Sequence, residues 1–533
     1  MTTSLLSRIW PSKGTQYLWP EQQAGVKPDL GICFSGGGTR ALSAAMGQMR
    51  ALLSFGFLQK ADYISSVSGG SWASTAFAYY RSGASSDEQF LGPITDPQNI
   101  TLTGLARLDP GCLGHTATAN LGDVLLKLVE SVPVDLLWET AIGQVFFQPF
   151  GLWDASQPLY FSLDAATVQA IQAVNPSLGS SSFLTVRTPA SYRIPYLLVN
   201  ATLDGPAANA PYDPDPRVMV TYSPLGCGIP YQSTLPYPVE GGQLRRQVLV
   251  GGGFIEPFAW GCGTPLAPPV NGMIRVPPPP RPFGLALASG TSSAAFAAAF
   301  QQYRVLDGLL PEGDYWPPVL GTGTQPPAER YLFGDGGNLE DLGLIPLLLR
   351  GVKKIVVFAN SGIPLNVDYD PANPPTESDI DSDLSTLFGF PTSSVNLRPG
   401  TASNLVFPRS DWPALVTQLQ TAKRNGLPMV VPMTHCVQRN DWWGLEGGEP
   451  VTVLYVYLDR VSSWEGYLEW EIQAELALGP VGKFRDFPNY ATIDENLLPP
   501  QSLTQLTPSQ VNLLADLACW VVRQSQGAFA NLV

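Results

Sequence analysis

Residues 29–56 read DLGICFSGGGTRALSAAMGQMRALLSFG, and residues 63–80 read YISSVSGGSWASTAFAYY. Each stretch opens on a short apolar run, passes through a cluster of glycines, and continues with small and apolar residues at helical spacing. In the first, Asp29 to Phe34 reads as a buried strand and Ser35 to Gly38 as a tight turn. Thr39 to Phe55 reads as a helix through Leu42, Ala45, Met46, Met49 and Leu53. In the second, Tyr63 to Val67 is the strand, Ser68 to Gly70 the turn and Ser71 to Tyr80 the helix. A third unit follows much later: Tyr331 to Phe333, the turn Gly334 to Gly337, a segment through Leu349, then the β-rich run KIVVFA at Lys354 to Ala359. Alternation of this kind predicts an α/β fold with a central, mostly parallel sheet flanked by helices.

The chain has 533 residues, beyond the size at which one hydrophobic core usually stops growing, so two domains or one large domain with insertions is expected. We read a single catalytic-type domain, with residues 1–28 as an N-terminal extension and roughly 91–194 as a cap-like insertion. Hydrophobic residues make up 44% and charged residues 14%, which supports a sizeable core; 52 Gly and 51 Pro imply many turns and long loops around it. The net charge of -14 argues against nucleic acid as a partner, because phosphate backbones are bound by clustered Lys and Arg. It argues equally against purely electrostatic docking on anionic membrane.

No secretory signal is read in Met1 to Gly14, which carries Arg8 and Lys13 and lacks a long apolar run, so a cytoplasmic setting is expected. The six cysteines lie far apart with no metal-site spacing, and reduced thiols are expected. Leu121 to Trp153 is helical and strongly apolar, compatible with a cap over a greasy site and with ordinary core alike. Phe283 to Phe300 carries no charge, but Ser289-Gly290-Thr291-Ser292-Ser293 breaks its middle, so it reads as a buried helix rather than a membrane span. Pro277 to Pro280 marks a stiff connector. Asp379, Asp381 and Asp383 alternate as calcium ligands can, yet no Gly or closing Glu follows at the required spacing. A solvated loop leading into a helix is expected there, and no metal or cofactor site is read.

The sharpest chemical signal is Ser66-Val67-Ser68-Gly69-Gly70, at a strand end before a helix. Acyl transfer needs a hydroxyl on a strained turn at a helix N-terminus with small neighbours, as in the G-x-S-x-G elbow. Ser68 fits as nucleophile, with Gly69 and Gly70 completing the elbow; Ser66 stands where the elbow prefers glycine. Taken alone, a Ser-Gly-Gly turn is more often just a turn. Gly36, Gly37 and Gly38 precede another helix and offer successive backbone N–H groups suited to an oxyanion, though a plain turn has the same letters. The lysine of a phosphate loop is absent. Arg40, one turn into that helix, could pair with a lipid phosphate, though without the rest of the pattern it reads as a surface helix charge. Asp335 sits in Gly334-Asp335-Gly336-Gly337, a common type of turn. Its interest comes from the scarcity of histidine, since His115 and His435 alone could complete a Ser/His/Asp triad, and His435 follows Ser68 and Asp335 in the chain order of α/β-hydrolases.

Taken together, Ser35-Gly36-Gly37-Gly38-Thr39-Arg40-Ala41, Tyr63 to Trp72, Asp335-Gly336-Gly337 and Ile345-Pro346-Leu347 resemble the catalytic domain of cytosolic phospholipase A and fungal phospholipase B, relatives of patatin. Weaker similarity continues through Arg350-Gly351-Val352, Ile355 to Ser361 and Phe487-Pro488-Asn489-Tyr490. The resemblance implies a patatin-like fold and a Ser/Asp dyad without histidine. Ser68 would attack the acyl ester, Asp335 take its proton, Gly36, Gly37 and Gly38 line the oxyanion hole, and Arg40 steady the phosphate. The implied partner is a phospholipid or lysophospholipid met at a membrane surface, with no cofactor. Before Asp29 no segment matches the calcium-binding lipid-docking module of the animal enzymes, so calcium-driven recruitment is not expected. The alternatives are a triad esterase using His435, a lipid-binding pseudoenzyme and, with no feature in its favour, a peptidase.

Overall fold

A computed structural model describes residues 4–207, 216–239, 245–302, 308–319, 325–390, 404–491 and 505–533. Its strands are β1 (Leu5–Pro11), β2 (Leu30–Phe34), β3 (Tyr63–Val67), β4 (Leu159–Ser162), β5 (Ser182–Thr185), β6 (Tyr196–Pro206), β7 (Val218–Tyr222), β8 (Cys227–Ile229), β9 (Ser233–Pro238), β10 (Arg245–Val250), β11 (Gly253–Ile255), β12 (Met273–Val276), β13 (Glu312–Tyr315), β14 (Glu329–Asp335), β15 (Lys354–Ala359), β16 (Val430–Cys436) and β17 (Pro450–Tyr457). Thirteen of them form one sheet in the order β12-β1-β11-β8-β7-β6-β3-β2-β15-β17-β16, with β14 on β6 and β13 on β14. The α/β class is the one expected.

The sheet is mixed. Its centre, β6-β3-β2-β15-β17, is parallel. These are the strands whose sequences run almost unbroken in apolar and small residues, as strands covered on both faces must: every residue of β2 and β3 is buried. Beyond β6 the sheet continues antiparallel through β7, β8, β11, β1 and β12, and β16 closes the other edge antiparallel to β17. The first 28 residues are more than an extension, because β1 lies between β11 and β12. Its burial alternates from Leu5 to Ile9 and breaks at buried Trp10, and the polar Ser7 and Arg8 interrupt the apolar run, which hides it from a search for such runs.

The helix predicted over Thr39 to Phe55 spans Gly38–Ser54, and the one predicted from Ser71 begins three residues earlier and spans Ser68–Tyr79. Residues 91–194 fall between that second helix and β6. They hold the helices Leu121–Leu128 and Val134–Ile142 and the small parallel pair β4/β5 outside the main sheet. Their apolar side chains belong to the main core, with Phe146 stacked on Trp72 at 4.0 Å between ring centres. The Phe283 to Phe300 region is two helices, Leu285–Ser292 and Ala295–Gln302, parted at Ser293. Among the described residues no helix is long and apolar enough to cross a membrane. The helix Pro508–Gln524 packs along Gly38–Ser54 so closely that a Cβ on Gly47 would stand 2.0 Å from the Ala515 carbonyl oxygen, and Arg50 pairs with Asp516 across the contact at 2.9 Å.

Candidate active site

Strand β6 assembles the site. Along one edge it pairs first with β3, ending at Val67 opposite Asn200, and then with β14, ending at Asp335 opposite Ala201. β3 and β14 run toward each other along that edge, one parallel and one antiparallel to β6, and their ends meet at consecutive β6 residues. Ser68 and Asp335, far apart in the chain, follow or form those two ends. The turn after Asp335 must be glycine for this to close: a Cβ on Gly336 would lie 2.5 Å from the Asn200 carbonyl oxygen and 2.7 Å from Val67 Cγ1.

At the end of β3 the chain passes directly from extended Val67 into helix, and Ser68 takes a φ of +49°. A side chain in that region costs about 1–3 kcal/mol and persists only where neighbours enforce it. The enforcement here is visible. Ser68 N–H donates to Ser292 Oγ at 2.9 Å, and Ser71 Oγ donates to the Ser68 carbonyl at 2.6 Å. Ser66 departs from the elbow glycine, yet its side chain is accommodated. Fully buried, its hydroxyl pairs with Ser74 Oγ at 2.7 Å and ties strand to helix.

The two glycine clusters touch each other. A Cβ on Gly69 would stand 1.9 Å from the Gly38 carbonyl oxygen, and one on Gly70 would stand 2.4 Å from that of Phe34. Both helices therefore begin at the same place. Gly37 and Gly38 have φ values of +119° and +56°, and no hydrogen-bond acceptor for either N–H is present among the described residues. Gly36 differs, because its N–H donates to the Asp341 carbonyl at 3.0 Å and a Cβ there would meet the Asp341 carboxylate.

Asp335 is buried, at 3% exposure. Its Oδ1 accepts from Gly337 N–H at 2.8 Å and its Oδ2 from Ala295 N–H at 3.2 Å, and the Ser68 side chain stands near enough to the carboxylate to favour its charged form. Burial pushes its pKa up to about 6, against the lowering effect of these hydrogen bonds; nearby Asp204 raises it further. Two more carboxyls stand close by. Asp341 is raised well above the usual carboxylate range by burial, then by Asp383, Asp335, Asp381 and Glu340, while Glu340 is raised to about 7 by burial alone.

Arg40 is not a surface charge. It is buried, its Nε donates to the Asn360 carbonyl at 2.8 Å, and its Nη1 donates to the Tyr490 carbonyl. Tyr490 belongs to the distant Phe487 to Tyr490 stretch singled out in the sequence. His435 stands on edge strand β16, with Nδ1 paired to Asp411 at 2.8 Å, Nε2 to Tyr455 OH at 2.9 Å, and its ring stacked on Phe407. Neither Ser68 nor Asp335 is among its partners. His115 lies exposed in a short 3-10 turn. Residues that sequence reasoning passed over are Ser292 and Ala295, which contact Ser68 and Asp335; the serine run at 289–293 was their only visible sign.

No family model and no curated protein matches this sequence. Among solved structures the chain is similar to human GIVD cytosolic phospholipase A2, at 14% identity and a TM-score of 0.40, covering 96% of this chain and 60% of that one. Structures of the same human protein with methyl gamma-linolenyl fluorophosphonate give a TM-score of 0.38, and with that inhibitor and terbium chloride 0.36, both at 14% identity. The chain thus spans about 60% of the length of the solved chains it resembles.

Proposed function

We propose that this chain is a serine acyl hydrolase that cleaves fatty acyl esters of glycerophospholipids or lysophospholipids through a Ser68/Asp335 dyad. The observation that carries the reading is the Ser68 side chain beside a buried carboxylate whose pKa is raised to about 6, at the point where the ends of β3 and β14 meet on β6. An exposed aspartate, with a pKa of about 4, is a poor base for a serine hydroxyl; burial brings this one closer to the operating pH. Asp335 takes the proton as Ser68 Oγ attacks the acyl carbonyl. The oxyanion forms against the Gly37 and Gly38 N–H groups, with Gly36 shaping the loop through Asp341. Asp335 then returns the proton to the departing alcohol oxygen, leaving the acyl group on Ser68. Water, deprotonated by the same carboxylate, attacks the acyl-enzyme and releases the fatty acid.

The lipid part of the proposal rests on the sequence resemblance and on the apolar insertion packed over the Ser68–Tyr79 helix, which gives the site greasy surroundings and suits action at a membrane surface. In this reading Arg40 supports the glycine loop through the Asn360 and Tyr490 carbonyls. Replacing Ser68 by Ala should abolish ester hydrolysis and fluorophosphonate labelling in a folded protein, while His435→Ala stays active. Near wild-type turnover by folded Ser68→Ala sinks the proposal. A loss in folded His435→Ala as large as that of the serine variant replaces the dyad with a triad.

A further inference from the structure

In the stretch Ser289-Gly290-Thr291-Ser292-Ser293 the three serine hydroxyls bond to the elements that carry the site, while that of Thr291 donates back to the Leu287 carbonyl. Ser289 Oγ donates to Thr75 Oγ1 at 3.1 Å, and Ser293 Oγ accepts from Trp72 Nε1 at 2.9 Å, so both tie this helix to the one that begins at Ser68. Ser292 differs from them. Its Oγ accepts from Ser68 N–H at 2.9 Å and donates to the Asn200 carbonyl at 2.6 Å. Three residues on, Ala295 N–H donates to Asp335 Oδ2 at 3.2 Å. Residues 292–295 thus hold the backbone of the nucleophile at one end and the carboxylate of the base at the other.

We propose that Ser292 is a positioning residue for ester hydrolysis: by bridging Ser68 N–H and the Asn200 carbonyl it fixes the strained elbow, and the junction it anchors sets the Ser68 hydroxyl against Asp335. This rests on the reading of Ser68 and Asp335 as nucleophile and base. The physical argument starts from the helix end. The N–H of a first helical residue has no acceptor within its own helix, and that of Ser68 is buried. Without the Ser292 hydroxyl, this buried N–H and the Asn200 carbonyl oxygen each lose a partner, an unfavourable state for buried polar groups. Ser68 also leans on that bond to stay at positive φ. The cheapest relief is rotation of φ toward negative values, which swings Oγ away from Asp335. Serine suits the position because one hydroxyl both accepts and donates.

The charged and polar groups facing Asp335 come from several elements. Asp204 on β6 is held by Arg217 at 3.1 Å, Asp341 follows the glycine turn, Asp383 acts from the helix Ser382–Thr386, and the Gly337 and Ala295 N–H groups and the Ser68 side chain lie against the carboxylate itself. If the 292–295 junction slackens, the Ala295 hydrogen bond weakens. The carboxylate then loses one of the groups that favour its charged form.

The test compares Ser292→Ala with Ser289→Ala, which removes a similar buried tie from the same helix without touching Ser68 or Asp335. On a soluble p-nitrophenyl ester, Ser292→Ala should lower kcat by roughly a hundredfold with little change in KM, as expected for a misplaced nucleophile. The acid limb of its kcat/KM profile should move to higher pH, and Ser289→Ala should stay near wild type in both respects. Wild-type kcat in Ser292→Ala, or an equal loss in Ser289→Ala, overturns the inference and leaves the serines as packing ties. Should Ser292→Ala fail to fold, Ser292→Cys keeps the volume with a poor hydrogen-bonding group. Its kcat should fall by tenfold or more, and full activity again overturns the idea. Ser68→Ala assayed alongside separates this from the function itself: residual activity there defeats the hydrolase reading whatever Ser292 does.

Discussion

In the proposed dyad, the burial that makes Asp335 a better base also makes its charge costly to keep. Its pKa is raised from 3.8 to about 6 in the folded protein, so the native state binds that proton more tightly than the unfolded chain does. The stability this provides is fully present below pH 4 and lost as pH rises through 6. Replacing Asp335 by Asn should therefore abolish turnover yet stabilise the fold at pH 8, by up to about 3 kcal/mol, with the advantage vanishing near pH 4. Urea unfolding at the two pH values checks this. A variant less stable than wild type at pH 8 shows that the hydrogen bonds from Gly337 and Ala295 outweigh the burial of charge. Under the proposed mechanism the same pKa should place the acid limb of the wild-type kcat/KM profile near pH 6.

At the scale of elements, Arg40 joins three segments: the glycine loop and its helix, the end of β15 through Asn360, and the chain at Tyr490. Removing it strips two buried carbonyls of a charged donor, so Arg40→Ala should lower turnover of a phospholipid and of a small neutral ester by similar factors. A much larger loss on the phospholipid alone assigns Arg40 to the phosphate instead. How legible such elements are in sequence depends on what marks them. The strand–glycine–helix units were readable because doubly covered strands must be continuously apolar, and because glycine is required where backbones meet at Gly69 and Gly336. The helix start at Ser68 was not, since Gly69 and Gly70 read as a turn and tertiary contact alone makes them helical. β8 and β11 are three residues each, too short to show a period. The role of residues 289–295 was hidden for another reason: hydroxyls that bond across an interface leave no pattern along the chain.

For the whole molecule, several buried carboxyls share one sign of shift: burial raises Glu139, Glu256, Asp341 and Asp383 as well as Asp335, Asp516 and Glu340. Asp335 and Asp516 are raised to about 6 and Glu340 to about 7, burial being the largest cause in each case, with Arg50 opposing it at Asp516. Each contributes stability that is fully present near pH 4 and disappears as pH rises through 6 to 7, while the net charge of -14 adds repulsion that also grows with pH. The melting temperature should therefore be a few degrees higher at pH 5 than at pH 8 in low salt, as read by calorimetry. A maximum at pH 8 contradicts the assigned shifts.

The convergence of two helix starts on one point has a consequence for how the site meets charge. Under the proposed mechanism, beside the buried Arg40 guanidinium packed against Gly37, part of the attraction for a developing negative oxygen comes from backbone dipoles at Gly37, Gly38 and the start of the Ser68–Tyr79 helix. Such an attraction has no proton to lose, so it neither fades at alkaline pH nor disappears when a single side chain is replaced. In that mechanism the part that senses acidity is the carboxylate, and the backbone that would receive the oxyanion is indifferent to it.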